Sequence, residues 1–166
     1  MSNIVYFWKP GEENGFMSNW FPVILETFSD INGVDRFYNT EGYMMYQKAI
    51  LFGDYEIANT ILTTRDPKTL KKLGRQVSGF VQGIWNQHKF NIMVDGLTYK
   101  FKNPMLRRML LATGDQMLVE ASPKDKIWGI GLSAKEASNI PMEEWPGENL
   151  LGKALMEVRC RIRSYP

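Results

Sequence analysis

The pattern of the chain changes at Thr40, and that change restricts the fold to short strands followed by helices. Before it, apolar residues come in brief runs: Ile4 to Trp8, Val23 to Phe28 and Val34 to Tyr38. The last two flank the turn-rich Ser29-Asp30-Ile31-Asn32-Gly33, which predicts a pair of strands around a turn. From Thr40 the spacing becomes helical. Thr40 is the expected N-cap, Glu41 lies at the positive end of the helix, and apolar residues run from Tyr43 to Phe52 before Gly53-Asp54 closes the element.

A second helix is predicted over Tyr55 to Leu62. Asp66-Pro67 places a proline at the first position of a third, reaching about Val77. Mixed helical spacing continues from Trp85 to about Lys102, and Asn103-Pro104 opens another helix through Leu111, stopped by Thr113-Gly114-Asp115. Met117 to Ala121 reads as a buried strand and Ser122 to Gly131 as a loop. Asn149 to Arg163 reads as an amphipathic helix with Leu150, Leu151, Ala154, Leu155, Val158 and Ile162 on one side. The expectation is a compact single domain over 1–166, α+β and predominantly helical, with short N-terminal β strands.

Composition narrows the chemistry. With 44% apolar and 13% aromatic residues in 166, the chain can bury a substantial core, and intrinsic disorder is excluded. A net charge of +2 is far from that of a protein held on nucleic acid mainly by phosphate contacts. The single cysteine, Cys160, excludes an internal disulfide and zinc sites with two Cys ligands. The single histidine, His88, excludes two-His metal centres, and its polar surroundings predict an exposed helical residue. No metal or cofactor is expected. No run is long enough to span a bilayer, and the opening MSNIVYFWKP lacks signal-peptide character, so the expectation is a soluble, cytoplasmic protein. Phosphate loops, GxGxxG and GxSxG are all absent.

Carboxylates remain. Glu41 either is an ordinary helix-start glutamate or is a half-buried functional one whose charge the helix terminus holds. Lys48 follows seven residues later, nearly two turns on, so the two face the same side. On an apolar face, that lysine either snorkels to water or sits in a pocket. Glu120 ends two apolar residues in a predicted buried strand. Asp125, Trp128, Gly129 and Gly131 set an acid and an aromatic plate beside glycines that let backbone approach a ligand, though an Asx turn with a core tryptophan fits equally. Phe16-Met17-Ser18-Asn19-Trp20-Phe21-Pro22 interleaves small polar groups with aromatics. Lys71, Lys72 and Arg75 form one basic cluster and Arg107-Arg108 another, and a guanidinium is the expected phosphate partner.

Taken in order, these pieces resemble the NADAR, or YbiA-like, family over almost the whole chain. The resemblance is carried by Ser18-Asn19 after Phe16, Glu41, Lys48 between Gln47 and Ala49, Lys72-x-Gly74-Arg75, Trp85, Met93, Lys100-Phe101 and Glu120-Ala121-Ser122. It is most specific in Asp125-x-x-Trp128-Gly129-x-Gly131 followed by Trp145-x-Gly147-x-Asn149-x-x-Gly152. Two departures are Gly42, where the family usually shows an aromatic or histidine, and Met17 inserted between Phe16 and Ser18.

The resemblance implies a compact, mainly helical domain that hydrolyses N-glycosides of ribose-bearing nucleotides. The implied substrates are ADP-ribosylated guanine in nucleic acid, with transient nucleic-acid contact, or ribosylated aminouracil phosphates of riboflavin synthesis. Glu41, Lys48 and Asp125 are then the catalytic candidates, with Lys48 either a Schiff-base nucleophile or an anchor. Ser18, Asn19, Arg75, Trp85, Glu120, Trp128 and Gly129 are the substrate-binding candidates. The alternative is a non-catalytic module that binds ADP-ribose or an NAD-type nucleotide.

Overall fold

The computed structural model describes residues 3–165 and is α+β, predominantly helical. Contacts divide the chain into two compact units, residues 19–102 and residues 1–18 with 103–166. No helix among the described residues is long and apolar enough to cross a membrane.

In residues 19–102, β2 (Leu25–Ser29) and β3 (Gly33–Phe37) form an antiparallel hairpin in which Leu25 faces Phe37 and Ser29 faces Gly33. Alternation along β2 buries Leu25 and Thr27 and exposes Glu26 and Phe28, the pattern of a sheet covered on one face. Four helices follow: α1 (Thr40–Leu51), α2 (Tyr55–Leu62), α3 (Pro67–Arg75) and α4 (Gln82–Lys100). α1 packs against the other three and buries most of its length. Glycines allow the close approach. A Cβ at Gly96 of α4 would lie 2.7 Å from the Tyr43 ring, and one at Gly74 of α3 would overlap Met45.

The N-cap of α1 is Asn39, one residue before the expected Thr40. Asn39 is extended, and its Oδ1 accepts from Gly42 N–H at 2.9 Å while its Nδ2 donates to Arg65 O at 2.9 Å. That second bond is tertiary and adds to the preference for Asn39 over Thr40. Similar shifts occur elsewhere: α3 stops at Arg75, and α4 opens three residues early and ends at Lys100.

In the other unit, β1 (Ile4–Phe7) pairs in parallel with β4 (Met117–Glu120), Ile4 facing Met117 and Phe7 facing Glu120. α5 (Pro104–Ala112) precedes β4, and α7 (Leu150–Ser164) packs on β4. A core of Val119, Ile130 and Ala137 is covered by Ile4, Tyr6, Met117, Leu132 and Trp145. Gly152 is required in α7 because a Cβ there would strike Leu118 O. The short helix α6 (Ala134–Ala137) is an addition to the sequence expectation. It is fixed by a capping box in which Ser133 and Glu136 satisfy each other's backbone N–H.

Candidate active site

Asn19, Glu41, Lys48, Arg75 and Trp85 lie in residues 19–102, and the structure links them in a chain. Glu41 N–H, in the first turn of α1, donates to Asn19 O at 3.1 Å. Glu41 is only 5% exposed, so its carboxylate sits in the interior at the positive end of a helix. Asn19 is also buried, and its side-chain Oδ1 has no hydrogen-bond partner among the described residues; the same holds for Oγ1 of Thr40, next to Glu41. A buried acceptor left without a donor costs on the order of 1–3 kcal/mol, so such an atom points to a missing donor.

Lys48 is half-buried. Desolvation pulls its pKa below the ordinary ammonium value, the Glu41 charge pulls it up, and the Arg75 charge pushes it down. The Lys48 amine stands beside aromatic rings. Its Nζ lies 4.5 Å from the Phe80 centroid and 5.5 Å from that of Trp85. Trp85 is itself buried in the first turns of α4. Arg75 is exposed at the C-terminal end of α3, where the helix dipole favours a cation.

Ser18, Glu120, Asp125, Trp128 and Gly129 lie in the other unit. Four of them form one cluster. Asp125 Oδ1 accepts from Ile127 N–H at 2.9 Å and Trp128 N–H at 2.8 Å, an Asx turn that sets the loop. Gly129 follows, where a Cβ would come 2.9 Å from Glu120 O. Asn149 clamps β4 by accepting from Glu120 N–H and donating to Leu118 O. It does so from a left-handed backbone, φ 54, just before α7. Ser18 is buried and closes the 3-10 turn Gly15–Met17. His88 is exposed on α4, with Nδ1 2.9 Å from Ile84 O.

Two participants escaped the sequence reading. Phe80 touches Lys48, and its only signal is an aromatic set in the loop Val77-Ser78-Gly79-Phe80-Val81. Asn39 holds the start of α1, and its signal was its place directly before Thr40.

The fold and these side chains define a helix-rich α+β protein in which one helix carries a buried carboxylate and a desolvated amine. That pairing suits acid–base or covalent chemistry on a small polar substrate. A family model described as the NADAR domain matches residues 6–163, and the chain belongs to that family. It is 47% identical over 143 residues to an N-glycosidase of Acanthamoeba polyphaga mimivirus, covering 86% of this chain and 84% of that one. It is 29% identical over 166 residues to a riboflavin biosynthesis protein of Vibrio vulnificus, covering 99% of this chain but 40% of that protein. The NMR structure of the E. coli protein YbiA matches with a TM-score of 0.76 at 26% identity, over 99% of this chain and 88% of that one. Relatives named N-glycosidase support glycosidase activity for this member of the family.

Proposed function

We propose that this protein hydrolyses a ribose C1′–N bond in a nucleotide-type substrate, with residues 1–166 acting as one NADAR domain. One observation carries the proposal above the others. Glu41 and Lys48 share a face of α1, the Glu41 charge acts on the Lys48 amine, and Glu41 N–H donates to the main-chain O of Asn19, whose side-chain Oδ1 is a buried acceptor without a partner among the described residues. A ribose hydroxyl would supply the donor.

Breaking the bond places positive charge on the ribose and an electron pair on the departing base. A buried carboxylate stabilises that charge far better than one in water, and Glu41 either does this directly or takes the proton from the attacking water. Lys48 has two available parts. As an anchor, its ammonium holds a phosphate. As a nucleophile, its neutral amine adds to the C1′=N imine formed when the base nitrogen's lone pair opens the C1′–O4′ bond and O4′ takes a proton; the base then leaves with the electrons of the C–N bond and a proton, and a lysine Schiff base results. Water then adds at C1′ and frees the amine and the sugar aldehyde. The desolvation acting on Lys48 favours the second part, since it enriches the neutral amine.

Arg75 is assigned to phosphate and Trp85 to a wall of the site. Glu120, Trp128, Gly129 and Ser18 are assigned to ligand contact in their own unit. Asp125 receives a positioning part, because Oδ1 is taken up by two backbone N–H groups.

The substrate is either ADP-ribosylated guanine or a ribosylated aminouracil phosphate. Mass spectrometry of the bases released from each decides between them. Guanine-bearing DNA with free ADP-ribose assigns the first, and aminouracil with ribose phosphate the second. ADP-ribose binding with no base released from either would replace the enzyme by a binding module. Glu41→Gln, nearly isosteric, is expected to lower turnover about 10²–10⁴-fold with the fold intact. Unchanged turnover removes Glu41 from the mechanism. Borohydride reduction during turnover is expected to leave an adduct on the Lys48 peptide; none would make Lys48 an anchor.

A further inference from the structure

We infer that residues 76–81, between α3 and α4, form a strap that positions Lys48: Asp54 and Phe52 hold the strap so that Phe80 covers the Lys48 amine and keeps water from it. The inference rests on the proposal that Lys48 takes part in the reaction, and it adds Phe80, a residue outside helix α1.

The strap is fastened at two points, with a turn between them. Asp54 caps α2 through Oδ1, which accepts from Ile57 N–H at 3.1 Å. Its Oδ2 is then free to accept from Ser78 N–H at 2.9 Å and from Ser78 Oγ at 3.0 Å. These bonds hold the Asp54 carboxyl below its ordinary pKa. Next, Gly79 takes a left-handed backbone, φ 70, with its Cα side turned to Phe52 O. That position favours glycine, and it turns the chain so that Phe80 points back. Finally, the Phe80 ring meets Phe52 edge to face, with centroids 5.3 Å apart and planes at 65°.

An edge-on partner leaves a face for Lys48, whose Nζ stands 4.5 Å from the Phe80 centroid. Phe80 is 39% exposed, so its ring is not filling a core; it stands at the surface over a charged group. The charges acting on Lys48 are Glu41 from α1 and Arg75 from α3, while α4 and the strap present rings, Trp85 and Phe80. A ring there acts in two opposing ways. It attracts the cation, and it excludes water, which disfavours the cation. Desolvation is the largest influence on this amine, so exclusion of water is assigned the larger share.

The test reads Lys48 without needing catalysis. Wild type, Phe80→Ala, Phe80→Tyr and the neighbouring Val81→Ala are labelled briefly with an amine-acylating reagent at pH 7 to 10, and the Lys48 peptide is followed by mass spectrometry. Phe80→Ala is expected to move the labelling midpoint of Lys48 upward and to slow its labelling at pH 8 several-fold. Phe80→Tyr restores the wild-type profile and Val81→Ala leaves it unchanged. An unmoved or lowered midpoint in a folded Phe80→Ala protein overturns the inference. A midpoint that rises while turnover stays the same upholds the strap and refutes instead the catalytic part given to Lys48.

Discussion

Lys100 offers the sharpest physical prediction. It is the last residue of α4 and has no exposed surface, with its Nζ 5.7 Å from the Phe21 centroid and 5.5 Å from that of Phe101. Burial pulls its pKa from 10.5 down to about 7. The sign follows directly: between pH 7 and 10.5 the unfolded chain binds more protons than the folded one, so stability rises with pH across that window. Below pH 7 both forms are protonated and the penalty is complete. Linkage from 10.5 to about 7 makes the gain about 3 kcal/mol between pH 7 and 9.5. Lys48, also lowered, adds in the same sense. The phenol of Tyr46, pushed up to about 12, acts oppositely but only above its unfolded value of 10. The measurement is therefore a difference: urea unfolding of wild type and Lys100→Met at pH 7, 8, 9 and 9.5. Wild type is expected to gain on that scale while Lys100→Met flattens. Parallel curves would refute a neutralisable amine in the interior.

Asp125→Asn keeps an Oδ1 acceptor for Ile127 and Trp128, so it is expected to hold turnover within about threefold, whereas Asp125→Ala frees the loop and lowers it about tenfold or more. If Asp125→Asn is as damaging as Asp125→Ala, steady-state kinetics would return Asp125 to proton transfer. Arg159 of α7 is buried and donates to Thr113 Oγ1 at 2.7 Å and Gln116 O at 2.8 Å. Arg159→Met strands both acceptors and is expected to cost about 1–3 kcal/mol in denaturant unfolding; no loss would mean that water replaces the guanidinium.

Most helices were legible because local chemistry and tertiary packing agree. Asp66-Pro67 and Asn103-Pro104 each supply a cap and a proline at the first helical position, and both open helices where expected. The Asn32-Gly33 turn likewise fixes the hairpin register, which brings Asn32 Nδ2 to Asp35 and leaves Asp35 to accept from Tyr46 OH. Misplaced boundaries have tertiary causes. Asn39 and Thr40 are both good caps in isolation, Asn somewhat the better, and the bond to Arg65 O, 26 residues away, adds to the preference for Asn39. The parallel pairing of β1 with β4 joins segments more than a hundred residues apart, which no local pattern records. α6 is the exception: its Ser133-x-x-Glu136 box is a local signal, but the helix it starts is only four residues long, too short for apolar periodicity to mark.

The candidate site shows the same division between what a helix dictates and what a loop adds. Seven residues along α1 fix the rise from Glu41 to Lys48 at about 10 Å, too far for the two backbones to bring the groups together unaided. Helical side chains lean toward the N-terminus, so the Lys48 stem reaches back along α1 in the direction of Glu41. That much follows from periodicity alone. What periodicity cannot specify is whether the amine at the end of that reach is wet and charged or dry and available. The answer comes from outside the helix, from Trp85 on α4 and Phe80 on a strap tied by Asp54 and Ser78. In the proposed chemistry the helix supplies spacing and the strap supplies reactivity. A change at Phe80 should therefore alter the pH at which the enzyme works, and a change at Glu41 whether it works at all.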